Sequence, residues 1–211
     1  WQIFGALDWG SSKPFSFGIY TVANGDDLPD GRMYPRGAII RYNEWYGWNG
    51  SANEGLRMEV EEVADGIKAK LNGKRPAYII ADPSMWKVDG GPSHAELMLG
   101  RGVVLRKADN SRLAGYLQLR SRIAGDDDVP MLYITKNCND GFWRTMPDIV
   151  MDEHHPEDVD TSQEDHCYDE VRYAVMSRPW IRAVDKPQEK PDRWMRAFER
   201  EDVAANEWKL I

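Results

Sequence analysis

Two short apolar runs, QIFGALD at residues 2–8 and AYIIAD at 77–82, each end on an aspartate. A few apolar residues halted by an acid have the pattern of a buried strand where it leaves a sheet. Between the two runs lie Phe15–Val22, which alternates and closes on the turn pair Asn24-Gly25, and Gly37–Tyr42. Three strands this close together predict an antiparallel meander. Residues 43–50 (NEWYGWNG) are aromatic but rich in Asn and Gly, which predicts a loop. From Glu54 to Leu71, the residues Leu56, Val60, Val63, Ile67 and Leu71 recur at steps of four, three, four and four, forming the apolar stripe of a helix. Asn72-Gly73 ends that helix. The second run is then a central strand, stopped by Asp82-Pro83.

The rest of the chain alternates. Helix is predicted at Ser93–Leu99, strand at Val103–Arg106, helix at Ser111–Ala124, strand at Met131–Ile134 and helix at Asn139–Met146. Asp152–Asp160 is an acidic loop. Ser162-Gln-Glu-Asp165 fits a capping box with Asp165 at its third helical position, and the helix it opens runs to about Ser177, before Pro179. The order β-β-β-α-β-α-β-α predicts an α/β fold: a mixed central sheet of three antiparallel strands followed by parallel ones, flanked by helices. The ribonuclease H-like fold is built this way, with the ends of its first and fourth strands side by side and a late helix opposite them. Residues 1–180 are expected to form this domain. Residues 181–211 are expected to form a polar, Pro-containing tail with Trp194, Phe198 and Trp208 as anchors.

Composition narrows the function. No run of 18 apolar residues exists to cross a membrane, and the start has no signal-peptide pattern. It lacks Met and opens almost directly into a strand, as a piece of a longer protein would. Two cysteines without C-x-x-C predict buried, reduced thiols in a cytosol. The net charge of -8 argues against a free-standing nucleic-acid binder. It suits a domain that collects divalent cations.

Asp8, Asp82 and Asp169 therefore matter together. One acid at a strand end is ordinary, but three in the order strand, strand, helix can meet at one point. Such a set holds two divalent cations, Mg²⁺ or Mn²⁺, roughly 3.5–4 Å apart, and supports phosphodiester hydrolysis. Asp8, central in the sheet, is the expected bridge, with Asp82 and Asp169 on either side. Asp165 and His166 precede Asp169 by four and three residues and share its face, so either can orient a water or take a proton. Asp165 reads equally as the acid of the capping box. Among the basic residues of 106–122, Lys107 and Arg112 are the candidates for phosphate contact at a helix start. Arg106, Arg120 and Arg122 read as a solvated face. Lys13, close after Asp8, is a further substrate contact. Trp45, Tyr46 and Trp48 are expected to pack rather than stack on bases, and Glu59, Glu61 and Glu62 to lie on an exposed helix face. Replacing Asp8 or Asp169 with Ala is expected to abolish cleavage and spare the fold, because crowded acids repel.

The segments GALDWGSS (5–12), NEWYGWNGSANEGLRM (43–58), YIIADPS (78–84), KADNSRLAGYLQLRSRI (107–123) and EDVDTSQEDHCYDEVRYAV (157–175) are similar to the nuclease domain of the large terminase subunit of tailed bacteriophages. The most specific piece is D-H-x-x-D-x-x-R-Y. The resemblance spans about residues 2–178. It implies a metal-dependent endonuclease that cuts concatemeric double-stranded viral DNA during genome packaging in the host cytoplasm. It also implies that the family's metal-binding acids fall on Asp8, Asp82 and Asp169 and its histidine on His166. The implied partners are double-stranded DNA, the portal protein, the small terminase subunit and the terminase ATPase domain. This chain has no G-x-x-x-x-G-K-[ST] phosphate loop, so that ATPase is not in it. The net charge predicts weak, salt-sensitive cleavage by the isolated domain. Rival readings are a Holliday-junction resolvase or transposase core, which would use the same acids, an actin-like ATPase, and a non-catalytic acidic interaction module.

Overall fold

In the computed structural model, which describes residues 1–26, 28, 31–153 and 158–180, the meander forms as predicted. Strands β1 (Gln2–Asp8), β2 (Ser16–Val22) and β3 (Ile39–Tyr46) pair antiparallel. Strand β4 (Ile79–Ala81) then runs parallel to β1, β5 (Leu105–Lys107) parallel to β4, and β6 (Leu132–Ile134) parallel to β3. The sheet order is β5-β4-β1-β2-β3-β6. Strand β1 is thus paired on both edges, antiparallel on one side and parallel on the other.

Alternation along the strands fills two cores, one on each face. Leu7, Phe17, Ile19 and Ile79 pack under α1 (Val60–Leu71) and α2 (His94–Gly100). Phe4, Ala6, Tyr20 and Ile80 pack under Leu119 of α3 (Arg112–Ala124) and under Cys167, Val171 and Ala174 of α5 (His166–Met176). Phe142, which opens the short α4 (Phe142–Thr145), packs against the same core. Both cysteines are free and buried. No described helix is long and apolar enough to cross a membrane.

Several boundaries differ from expectation. Strand β3 continues through Tyr46, where a loop was expected, because Asn43 and Glu44 pair with Ile19 and Gly18 of β2. Helix α1 begins at Val60 rather than Glu54: Leu56 is 42% exposed, and Arg57 takes a φ of 56°, which no helix accommodates. Glu59 and Glu62 make the reciprocal capping box that opens α1, so they are more than a solvated face. The box predicted at Ser162–Asp165 does not form. The amide and hydroxyl of Ser162 both donate to Asp160, and Asp165 is the N-cap residue, its side chain making no capping bond. Residues 139–146 yield only α4 and a following 3₁₀ turn at Met146–Asp148. Arg122 is not a solvated residue: it is 2% exposed and donates to the carbonyls of Met131 and Arg178. Trp45 and Tyr46 pack as expected, the Trp45 ring meeting Phe15 edge-on at 4.7 Å. The expected tail at 181–211 and part of the acidic loop (154–157) lie outside the described residues.

One irregularity shapes the α5 face. The β2–β3 register shifts between Ile19 and Tyr20, leaving Tyr42 extra. Arg41 and Glu44, three residues apart, would face opposite ways on a regular strand. Across the bulge they meet at 3.2 Å, both buried against α5.

Candidate active site at the join of β1 and β4

Parity along β1 places Asp8 on the side of Phe4 and Ala6, the α5 face, and the parity of Ile80 does the same for Asp82. The pairing Leu7↔Ala81 makes Asp8 and Asp82 the next residues of neighbouring parallel strands. Above them, His166, Asp169 and Tyr173 fall at steps of three and four on one stripe of α5. Cys167, Val171 and Ala174 on the adjoining stripe bury that helix against the sheet.

The electrostatics show how close these groups stand. Asp8 is 6% exposed, and its carboxyl is held well above the usual carboxylate range. Burial is the main cause, followed by the charges of Asp169, Asp82 and Asp165, while Arg172 works the other way. Burial also raises the Tyr173 hydroxyl, and the charges of Asp8, Asp169 and Asp82 add to it. Four carboxylates and a tyrosine thus share one neighbourhood.

Each acid is held by protein groups. Asp8 Oδ2 lies 3.2 Å from His166 Nδ1, and His166 Nε2 lies 3.1 Å from Asn53 Oδ1. Burial lowers the His166 pKa, and the charge of Lys13 also lowers it, against Asp165, Asp169 and Glu164. Asp82 accepts from the amide of Ser84 at 2.9 Å and from its hydroxyl. Asp169 Oδ1 accepts from Nε and Nη2 of Arg172, at 3.1 and 2.9 Å, and its Oδ2 lies 3.6 Å from Arg112 Nη1. Arg112 also pairs with Asp158. Asp165 is 8% exposed, and its carboxyl is raised by burial and by Asp169.

Among the described residues, no three His, Cys, Asp or Glu side chains are grouped so as to close around an ion. Asp82 accepts from Ser84 and Asp169 from Arg172. The donor set still fits a hard divalent cation, being all carboxylate oxygen with surplus negative charge concentrated at a buried Asp8.

Of the residues singled out from sequence, Asp8, Asp82, Asp165, His166 and Asp169 come together. Lys13 stands close enough for its charge to act on His166, and Arg112 reaches Asp169. Lys107 ends β5 with its ammonium 5.5 Å from the Trp86 ring centre, and it contacts none of the acids. Sequence reasoning gave no role to Asn53, Arg172 or Tyr173. The last two follow Asp169 by three and four, a spacing that could have found them; Asn53 comes from a loop with a φ of 56°, which spacing does not disclose.

No protein-family model and no curated protein matches the chain. Solved structures do. The large terminase of a thermophilic bacteriophage is similar over 84% of this chain, at a TM-score of 0.62 and 19% identity. The P22 large terminase nuclease domain is similar over 84% of it, at a TM-score of 0.59 and 13% identity.

The fold is that of a large-terminase nuclease domain. The chain spans 40% of the thermophilic-phage terminase and 81% of the P22 domain. In this terminase nuclease fold the mixed six-stranded sheet is ribonuclease H-like, as the element order predicts.

Proposed function

We propose that this chain is a metal-dependent endonuclease that hydrolyses phosphodiester bonds in double-stranded DNA and cuts concatemeric viral genomes during packaging. The observation that carries the reading is the buried Asp8 beside Asp169, Asp82 and Asp165, its carboxyl raised first by burial and then by the charges of those three acids. A site that only capped a strand would not gather four acids.

In this reading Asp8, Asp82 and Asp169 would hold two divalent cations, Mg²⁺ or Mn²⁺. When bound, such cations supply positive charge to the attacking and leaving oxygens. Arg172 and Arg112 balance Asp169 until then and keep its carboxylate aimed. His166, between Asp8 and Asn53, would take or pass a proton at Nδ1, and Asp165 would orient a water. Lys13, Lys107 and Arg112 contact the DNA backbone. The terminase ATPase domain, the small terminase subunit and the portal protein are the expected partners, in the host cytoplasm. The solved thermophilic-phage protein, of which this chain spans 40%, is a large terminase.

Plasmid nicking with Mn²⁺, Mg²⁺ or EDTA, run beside Asp8→Asn, tests this. Cleavage is expected with metal and the parent protein only. Four-way junctions and RNA–DNA hybrids in the same assay separate a resolvase-like specificity. Cleavage that persists in EDTA or in Asp8→Asn would refute the proposal.

A further inference from the structure

A cavity of about 480 Å³ opens at the other end of β4 from Asp82, beneath the C-terminal turn of α1. Ile79 and Asp82 are three residues apart along the strand, roughly 10 Å. The floor is aliphatic: Leu71, Ile79 and Val103, all buried. The rim carries Lys68, Lys74, Arg75 and Arg106 and no carboxylate. Lys68 is tied to Asp65 at 2.7 Å. Lys74, Arg75 and Arg106 have no ion pair among the described residues. In a chain of net charge -8, three cations from two separate segments left without acids are a concentrated exception.

The occupant can be read from the walls. A stacking base needs an open aromatic face, and Tyr78, the aromatic residue of the lining, has none. Phe4 stacks on it at 5.2 Å, and the Arg106 and Arg178 guanidiniums stand 5.3 and 5.7 Å from its centre. Beside the cavity, β5 is the edge of the sheet, and its outer backbone has no strand partner among the described residues. Val104, just before β5, is 64% exposed, and Leu99 next to it is 57% exposed. Cations alone would only blunt such an edge. Cations around an aliphatic cavity and an uncovered valine make a surface complementary to a chain that alternates carboxylates with aliphatic side chains.

We propose that this edge binds an extended acidic segment of a separate protein. The segment lies along β5, adds backbone hydrogen bonds to the edge strand, sets aliphatic side chains on Val104 and into the cavity, and turns its carboxylates to Lys74, Arg75 and Arg106. The surface is distinct from the acid cluster and does not depend on the nuclease reading.

The full chain is titrated with a fluorescein-labelled decapeptide of alternating Asp and Val, followed by polarisation. A block peptide, five Asp then five Val, is the composition control. The alternating peptide is expected to bind. Lys74→Glu combined with Arg75→Glu, and separately Val104→Asp, are expected to weaken it at least tenfold while leaving the circular dichroism unchanged. Asp8→Asn is expected to bind it as the parent does, which separates this result from any failure of the nuclease reading. Equal binding of the block peptide, or indifference to the Lys74/Arg75 pair, would overturn the proposal.

Discussion

Glu170 Oε2 lies 2.6 Å from Arg41 Nη2, and both side chains are wholly buried between α5 and β3. The same guanidinium is shared with Glu44, while Ser16 and Tyr20 donate to Glu170. Gly18 makes room: a Cβ there would stand 2.4 Å from the Glu170 carboxylate. This pair locks the helix that carries His166 and Asp169 onto the sheet that carries Asp8, from the residue next to Asp169.

Glu170 should make stability depend on pH. Burial pushes its carboxyl up to about 7 and the charge of Glu44 adds to it, against the charge of Arg41 and the hydrogen bonds from Tyr20 and Ser16. A folded pKa above the unfolded value near 4.5 stabilises the fold fully below about 4.5, and the contribution is lost as pH rises through 7. The loss is on the order of 3 kcal/mol. Glu170→Gln keeps the shape and removes the titration. Urea unfolding at pH 5 and 8 should show a smaller drop in the variant than in the parent; parallel behaviour would count against it.

The acids of the candidate site should differ when removed. Asp8→Asn relieves a buried, crowded charge, so its melting temperature at pH 7.5 should rise above that of the parent while nicking is lost. Asp169→Ala also loses nicking but leaves Arg172, 1% exposed, without its carboxylate. That should cost about 2 kcal/mol. Scanning calorimetry of the two proteins decides it.

Gly115→Ala is a remote test of Arg172. A Cβ on Gly115 of α3 would come 2.3 Å from Arg172 Cγ. Either the arginine shifts or the helices part, for about 2 kcal/mol of stability. Because Arg172 holds Asp169, nicking should fall by more than the unfolded fraction explains. Activity proportional to folded protein would detach Arg172 from the site.

Lys107→Gln should weaken duplex DNA binding at every sequence and reduce the slope of log affinity against log salt by about 1. Arg120→Gln, an exposed residue on α3 without an assigned contact, serves as the control. Filter binding of Asp8→Asn carrying each change, over a salt series, gives the comparison; equal slopes would remove Lys107 from the contact set.

The two aspartate-terminated runs were legible because a strand buried on both faces is apolar throughout, and an acid marks where it comes out. The parallel pairing of β1 with β4 followed from element order. Helix starts were harder. Ser162 and Asp165 have the letters of a capping box, yet Asp160 draws Ser162 away, and the box at Glu59–Glu62 uses two acids that looked like surface. The end of β3 reads as loop because residues 43–50 are rich in Asn and Gly, although the bulge turns Glu44 inward to Arg41. Pairings of this kind are set by a register shift, which single-residue patterns do not encode.

The two-sided pairing of β1 has a last consequence. With neighbours hydrogen-bonded along both edges, the backbone under Asp8 has nowhere to go. Asp82 caps a 3₁₀ turn, its amide still donating to the Leu7 carbonyl of β1, while Asp169 stands on a helix outside the ladder. Any adjustment to a substrate falls to the side chains of those two, and the central acid acts as the datum from which the others are measured.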